Sequence, residues 1–198
     1  MSVIDTILAR RSVSPRLVRD PGPNDAELRT ILSAGARAAD HGKMRPWRFI
    51  VIRGEARTRL GEVFAACRRE RDPGANDAEI DKERAKPLRA PLVIAVAAHV
   101  VAGHPTVRTV DQVYAAAAAA QNILLACFDL GYGVMWLTGS NAHDPNVKRA
   151  LGLATTDEIV GFLYVGSIAA MPEPLPVDDL EASVIEWTGA QPAVPTGR

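Results

Sequence analysis

Arg37-Ala38-Ala39-Asp40-His41-Gly42-Lys43-Met44-Arg45-Pro46-Trp47-Arg48-Phe49-Ile50-Val51-Ile52 is the stretch on which the reading of the fold turns. Upstream, Leu28, Ile31, Leu32 and Gly35 recur at helical spacing, so a helix enters the segment with Arg37 in its last turn. Downstream, Phe49-Ile50-Val51-Ile52 is a short β-branched and aromatic run that reads as a buried strand. His41 lies in the loop between them, and Pro46-Trp47 closes it. Helix, polar loop and strand within so few residues predict a layered domain of helices on a sheet.

The same alternation continues in both directions. Val3, Ile4, Ile7 and Leu8 share one face of a first helix over residues 2–9. Pro15 stops it, Pro21-Gly22-Pro23 makes a turn, and Asn24 or Asp25 caps the second helix. Leu60, Val63, Phe64 and Cys67 mark a third helix. Asp72-Pro73-Gly74 turns the chain into an exposed helix over residues 77–86, and Leu92 to Val96 forms a second buried strand. The charged stretch from Arg68 to Arg89 suits either a lid over a site or an ordinary solvated helix.

A long helix is predicted from Thr109 to Leu130, roughly 33 Å in length. Its stripe reads Val110, Val113, Tyr114, Ala117, Gln121, Leu124, Leu125 and Phe128. Gly131 and Gly133 end it, and Val134 to Leu137 makes a third strand. Asp144 caps a short helix that has Pro145 at its first position, and Ile159 to Val165 is a fourth strand. The residues from 171 to 176 hold three prolines and cannot pair as a central strand. Residues 182–187 read as a strand or a short helix. The pattern is that of a helix-rich α+β or α/β layer domain, one unit over residues 1–198.

Composition narrows the function. The 23 basic and 23 acidic residues balance, so no net field favours nucleic acid or an anionic membrane surface. The longest weakly polar run, Val113 to Ala120, is too short to span a bilayer. No basic segment followed by an apolar one opens the chain, which points to the cytoplasm. Cys67 and Cys127 lie in helical patterns and read as buried free thiols. Gly131-Tyr132-Gly133 precedes a strand and lacks a third glycine, so it is no dinucleotide fingerprint. His99 and His104, with no carboxylate or thiolate beside them in sequence, are a poor metal set. No Gly-x-Ser-x-Gly elbow is present.

What remains is a pair of cationic patches at helix ends. Arg10-Arg11-Ser12 ends the first helix and Arg37 to His41 ends the second. Each by itself also fits a helix C-terminus whose basic residues complement the dipole. Together, guanidinium and hydroxyl donors suit a phosphate monoester, which carries about two negative charges near neutral pH.

In order and spacing these segments resemble the nitroreductase family of FMN-dependent oxidoreductases, and within it the compact YdjA-like subgroup. The matching segments are Arg10-Arg11-Ser12, Arg37-Ala38-Ala39-Asp40-His41 with Met44-Arg45-Pro46-Trp47, and Trp136-Leu137-Thr138-Gly139. Arg89-Ala90-Pro91 and Ile159 to Tyr164 add to the likeness. The resemblance implies an α+β, three-layer fold: a mostly antiparallel central sheet flanked by helices, with residues from about 171 to 198 reaching a partner subunit. It implies FMN held by Arg10, Arg11, Ser12, Trp136, Leu137 and Thr138 of one subunit, and by Arg37 and His41 of the other. It further implies a nicotinamide-nucleotide contact at Ala126, Cys127, Phe128, Asp129, Leu130 and Gly131.

The activity so implied is that of a homodimeric NAD(P)H oxidoreductase. Hydride would pass from NADH or NADPH through FMN to an electron-poor acceptor such as a nitroaromatic or quinone, in ping-pong fashion. No catalytic side chain is then needed, because the flavin carries the chemistry. A flavin-binding carrier or sensor, or an FMN-dependent dehalogenase or flavin-fragmenting enzyme, are the alternatives. Three positions depart from the family pattern. Arg45 replaces an amide, Leu137 a basic residue, and Ser14 the cation found in many larger relatives.

Overall fold

Leu92 to Ala98 contains no charged or hydroxyl residue, and all seven of its side chains are buried. Such a run belongs at the centre of a sheet covered on both faces. The computed structural model, which describes residues 2–173, 180–187 and 189, places it there. The strands are β1 (Val18–Arg19), β2 (Trp47–Arg53), β3 (Leu92–Ala98), β4 (Tyr132–Leu137) and β5 (Glu158–Ile168). β3 pairs with β2 from Trp47↔Ala98 to Arg53↔Leu92. On its other side it pairs with β5 from Leu92↔Val165 to Ala98↔Glu158. β4 lies on the far side of β5, from Tyr132↔Ser167 to Leu137↔Phe162. Every pairing is antiparallel. Ser167 faces Tyr132 on one side and Arg19 on the other, so β1 continues the line of β3 along the end of β5.

The helices are α1 (Val3–Ala9), α2 (Asp25–Gly35), α3 (Glu55–Arg71), α4 (Asp77–Arg84), α5 (Thr109–Asp129), α6 (Gly139–Ala142) and α7 (Pro145–Ala150). Reciprocal caps start three of them: Ser2 with Asp5, Asn24 with Glu27, and Asn76 with Glu79. Successive strand residues point to opposite faces, and the core divides accordingly. Ile94, Val96, Leu163 and Val165 pack against Leu28 and Ile31 of α2 and Ile123, Leu124 and Cys127 of α5. Val93, Ala95, Phe162 and Tyr164 pack against Leu60, Phe64 and Cys67 of α3 and Val147 of α7. The result is the expected three-layer α+β arrangement with an antiparallel sheet.

Several boundaries and faces differ from the sequence expectation. β1 was not expected; its two residues are held by backbone pairing to β5 rather than by any run of apolar side chains. Pro15 does not merely stop a helix but opens a 3-10 turn over Pro15–Leu17. Only Trp47 and Ile52 of β2 are buried, because that strand is an edge strand paired with β3 alone. In α4, Ile80 is buried on a helix otherwise mostly at the surface. α3 lets α4 approach because residue 61 is glycine: a Cβ there would lie 2.3 Å from the Arg84 carbonyl oxygen.

The α5 stripe is also reversed. Its buried residues are Gln112, Ala115, Ala116, Ala119, Ala120, Ile123, Leu124 and Cys127. Of the predicted stripe only Leu124 is buried, and Tyr114 is 64% exposed. The alanine side is the one that can come close to sheet and α2. There Gly35 meets Ile123, whose Cγ1 would be 2.8 Å from a Cβ at residue 35. α1 forms as expected, but its apolar face lies at the surface of the described residues: Val3, Ile4, Ile7 and Leu8 are 74, 62, 45 and 80% exposed, and within α1 only Thr6 is buried. Beyond β5, the chain makes a 3-10 turn at Leu180–Ser183 with no regular element over 184–187. The expectation that the tail reaches a partner falls largely outside the described residues.

Candidate functional site at the outer edge of the sheet

β4 is an edge strand, and two of the predicted segments lie at its two ends. The Arg10 backbone N–H donates to the Thr6 carbonyl and closes α1. The Val13 N–H donates to the Val134 carbonyl at 3.0 Å, which pins Arg10-Arg11-Ser12 beside the start of β4. Arg11 donates from Nη1 to the Pro172 carbonyl at 3.2 Å and from Nε to the Ala9 carbonyl at 3.5 Å. The Arg10 guanidinium and the Ser12 hydroxyl bond no other side chain or carbonyl among the described residues. Trp136-Leu137-Thr138 ends β4, and Val134 to Leu137 spans roughly 10 Å of strand. Phosphate-type donors and a largely apolar wall thus share one sheet edge.

Trp136 turns its indole to the α2 and α5 face of the sheet, with its N–H already used. Nε1 donates to the Val160 carbonyl at 3.1 Å. Thr138 is exposed, and Gly139, at φ +60°, turns the chain into α6. A cavity of about 350 Å³ opens here on the α3 side of the sheet. Phe64, Phe162 and Tyr164 line it from below; Lys86 and Arg89 of the 3-10 turn Lys86–Arg89 line it from the side. Phe64 and Phe162 meet edge to face with centroids 5.5 Å apart. Burial raises the Tyr164 phenol, against the opposing charge of Arg89.

Behind the cavity lies a buried polar network that the sequence did not reveal. Asn141, 4% exposed, accepts from Arg71 Nη2 at 2.8 Å and donates to Glu83 Oε2 at 3.1 Å. Arg71 also pairs with Asp144, and Lys86 with Glu83. Burial works to raise both carboxyls. Hydrogen bonds from Lys86 and Asn141 at Glu83, and from the Asn146 N–H and Arg71 at Asp144, prevail and hold them below the usual range. The partners come from α3, the end of α4, α6 and α7, so no local motif announces them. The charged stretch from Arg68 to Arg89 and the Asp144 cap were the sequence signals that touched this region, but neither showed that their residues meet.

The third predicted patch lies elsewhere in the chain. α2 ends at Gly35, so Arg37 falls in the turn beyond it and not in its last turn. Arg37 lines a groove of about 460 Å³ with Val3 and Thr6 of α1 and with Ala126 and Asp129 of α5. Asp129 accepts from the Thr6 hydroxyl at 3.2 Å there. His41 lines a separate depression with Arg108, Asp111 and Tyr114. The connecting loop is tightly shaped. Gly42, Lys43 and Arg45 take φ of 73°, 55° and 48°, and the Arg45 N–H donates to Asp40 Oδ2 at 2.8 Å. Non-glycine residues in this region carry strain that surrounding structure must hold.

One chain therefore joins Arg37 with Ala126 and Asp129, and Trp136, Leu137 and Thr138 with Arg89, but it leaves Arg37 and His41 outside the β4 cavity. Within the stretch 126–131, Cys127 is fully buried and points into the core rather than to a ligand surface. Phe128 is half-buried, Leu130 is 39% exposed, and Gly131 takes φ +83° to start the turn into β4. His99 does gain a carboxylate: Asp157, distant in sequence, lies 3.0 Å from its Nδ1. No group of three or more metal-ligating side chains occurs among the described residues. Among them, too, no helix is long and apolar enough to cross a membrane.

This geometry has close relatives. The sequence is 39% identical over 167 residues to YdjA of Escherichia coli (strain K12), named, provisionally, an NAD(P)H nitroreductase. The match covers 84% of this chain and 88% of that protein. A Haemophilus influenzae protein with the same provisional name is 30% identical over 165 residues, 82% of this chain and 86% of its own. In fold, a nitroreductase-like family protein from Bacillus cereus superposes with a TM-score of 0.81 at 23% identity, covering 96% of this chain and 97% of that one. A Bacteroides fragilis nitroreductase with bound FMN superposes at 0.70, also at 23% identity, covering 94% and 100%. The model of the nitroreductase family matches residues 7–167, and the chain belongs to that family.

Proposed function

We propose that this protein is an FMN-dependent NAD(P)H oxidoreductase that reduces electron-poor acceptors such as nitroaromatics or quinones. The observation that carries the reading is the β4 edge. Phosphate-type donors uncommitted among the described residues stand at one end, and Leu137 and Thr138 stand at the other. Family membership and the names of the relatives support the same assignment.

The donor set fits FMN. Arg10 and Ser12 have side-chain donors without partners among the described residues, and Arg11 stands beside them, so the three suit a phosphate dianion. Leu137 and Thr138 stand where a ring system would lie, while Trp136 turns its indole to the opposite face of the sheet, over Gly161. Bound FMN would accept a hydride from NADH or NADPH and deliver two electrons to the acceptor, a ping-pong cycle at one shared position. The chain's own part is to anchor the phosphate, to shield one side of the ring with β4 and to leave the other side open.

The site is shared between two copies of the chain. Arg37 and His41 line depressions other than the β4 cavity of their own subunit, and the apolar face of α1 beside Arg37 lacks cover among the described residues. A second subunit that covers α1 would bring Arg37 and His41 to its neighbour's flavin. The same groove, with Ala126 and Asp129, is where the nicotinamide nucleotide would be met.

The test is binding of FMN against riboflavin to flavin-free protein, followed by flavin fluorescence. Phosphate anchoring predicts that FMN binds at least tenfold more tightly, and that Arg10→Ala removes most of this difference. Equal affinities for the two flavins in wild-type protein would contradict the site.

A further inference from the structure

The loop from Asp40 to Trp47 carries two cations that the proposed site does not use, Lys43 and Arg45. Both take left-handed backbone conformations, with φ of 55° and 48°, which residues with a side chain keep only where the surroundings enforce it. Arg45 is held on both sides. Its N–H donates to Asp40 Oδ2 at 2.8 Å, and its carbonyl accepts from Arg48 Nη1 at 3.4 Å. The Pro46 carbonyl accepts from the His99 N–H at 2.7 Å, which ties the end of the loop to the end of β3. Gly42 lies against Val107, whose Cγ2 would be 3.0 Å from a Cβ at residue 42. The backbone is thus fixed. The side chains of Lys43 and Arg45 are exposed, with no carboxylate or carbonyl partner among the described residues. Two unpaired cations on a fixed loop suit a phosphate dianion, which a guanidinium can grip with two parallel bonds.

We infer that Arg45, with Lys43 beside it, is a specificity-determining residue that binds the 2′-phosphate of NADPH and so selects NADPH over NADH. This rests on the oxidoreductase reading and deepens it. The FMN phosphate has its own donors in Arg10, Arg11 and Ser12, so the loop cations serve a different phosphate. His41, in the same loop, stands at the neighbouring subunit's flavin. A nicotinamide ring stacked there leads its adenosine end out to the rim, where Lys43 and Arg45 are exposed. The two donors differ only in the 2′-phosphate on that end. The hydride passes from the nicotinamide ring to the flavin and leaves NADP⁺; the 2′-phosphate takes no part in the step. Discrimination therefore falls on donor binding and not on the rate of reduction. Arg45 is also the residue that replaces the family's amide.

The test follows anaerobic bleaching of the FMN-loaded protein against donor concentration, which isolates the donor half-reaction. In the wild type, half-saturation should come at a concentration about tenfold lower for NADPH than for NADH, with limiting rates within about twofold. Arg45→Gln should raise the NADPH value about tenfold and leave the NADH value within about twofold, and Arg45→Lys should keep part of the preference. Because the contact is exposed, the preference should shrink as salt rises from about 50 mM to about 500 mM. A readout without turnover is calorimetric titration with 2′,5′-ADP and 5′-AMP. The wild type should bind 2′,5′-ADP about tenfold more tightly, and Arg45→Gln should abolish the difference. Equal half-saturation by the two donors in the wild type, or equal losses for both in Arg45→Gln, would overturn the inference. So would inorganic phosphate binding as tightly as 2′,5′-ADP, or loss of FMN from both Arg45 variants with the fold intact. If neither donor bleaches the wild-type flavin, the oxidoreductase reading fails instead, and the 2′,5′-ADP titration still reports on Arg45.

Discussion

The indole of Trp136 lies across the backbone of Gly161: a Cβ at residue 161 would sit 2.1 Å from Nε1 and 2.5 Å from Cδ1. The glycine is what allows the ring to lie flat on β5 and donate to the Val160 carbonyl. It thereby fixes where β4 ends and where Thr138 stands. Gly161→Ala should destabilise the protein by about 1–3 kcal/mol, the usual cost of forcing atoms into a filled site. Urea unfolding measures this. Trp136→Leu in the same chain should relieve most of the alanine's cost, so the two changes will not add. Full additivity would mean that the contact is not the source.

The network behind the cavity makes stability depend on pH. Asp144 and Glu83 have carboxyls held below their ordinary range by hydrogen bonds and nearby cations. Their contribution is complete above the unfolded-state values, near pH 4 to 4.5, and is lost as pH falls through the lower folded-state values. Asp144→Asn keeps a good N-cap for α7 but removes the charge opposite Arg71. It should cost about 2 kcal/mol at pH 7. It should also flatten the acid slope by at most about 1.4 kcal/mol per pH unit. Equal acid slopes for the variant and the wild type would contradict this.

Neither cysteine is suited to thiolate chemistry. Burial pushes the Cys67 thiol up to about 11 and the Cys127 thiol up to about 12. A thiol-specific disulfide reagent at pH 8 should therefore leave both unmodified in native protein and titrate two after unfolding. Rapid modification of either in the folded state would contradict the burial.

How much of this was legible in the sequence depended on whether the signal was local. The start of α2, the all-apolar β3 and the Asp144-Pro145 start of α7 were each written within a few residues; the last two were read directly, and of the two caps offered for α2 it is Asn24 that serves. The inward face of α5 was missed because alanine carries little hydrophobic weight; larger residues dominate a periodicity count. Close approach to Gly35 instead selects the small side. The α1 stripe was visible, but it is left uncovered among the described residues. Arg10 to Ser12 and Trp136 to Thr138 were legible as motifs. The Arg71–Asn141–Glu83 network was not, because it arises where α3, α4 and α6 converge.

A site shared between subunits makes a complementation prediction. Arg10→Ala and Arg37→Ala each damage a different subunit's half of the same site. Mixing the two variants equally and reassembling them should yield hybrids in which one of the two sites is intact, restoring about a quarter of wild-type FMN sites. Binding stoichiometry measures this. No recovery in verified hybrids would place both arginines in a single chain's site.

The most direct measurement of the central claim is the visible spectrum of the FMN-loaded protein before and after NADH or NADPH is added without oxygen. The account predicts flavin bands that bleach with one of the two donors and return when 4-nitrobenzoate is supplied. A protein that binds no FMN, or bound FMN that keeps its bands with both donors, would contradict it.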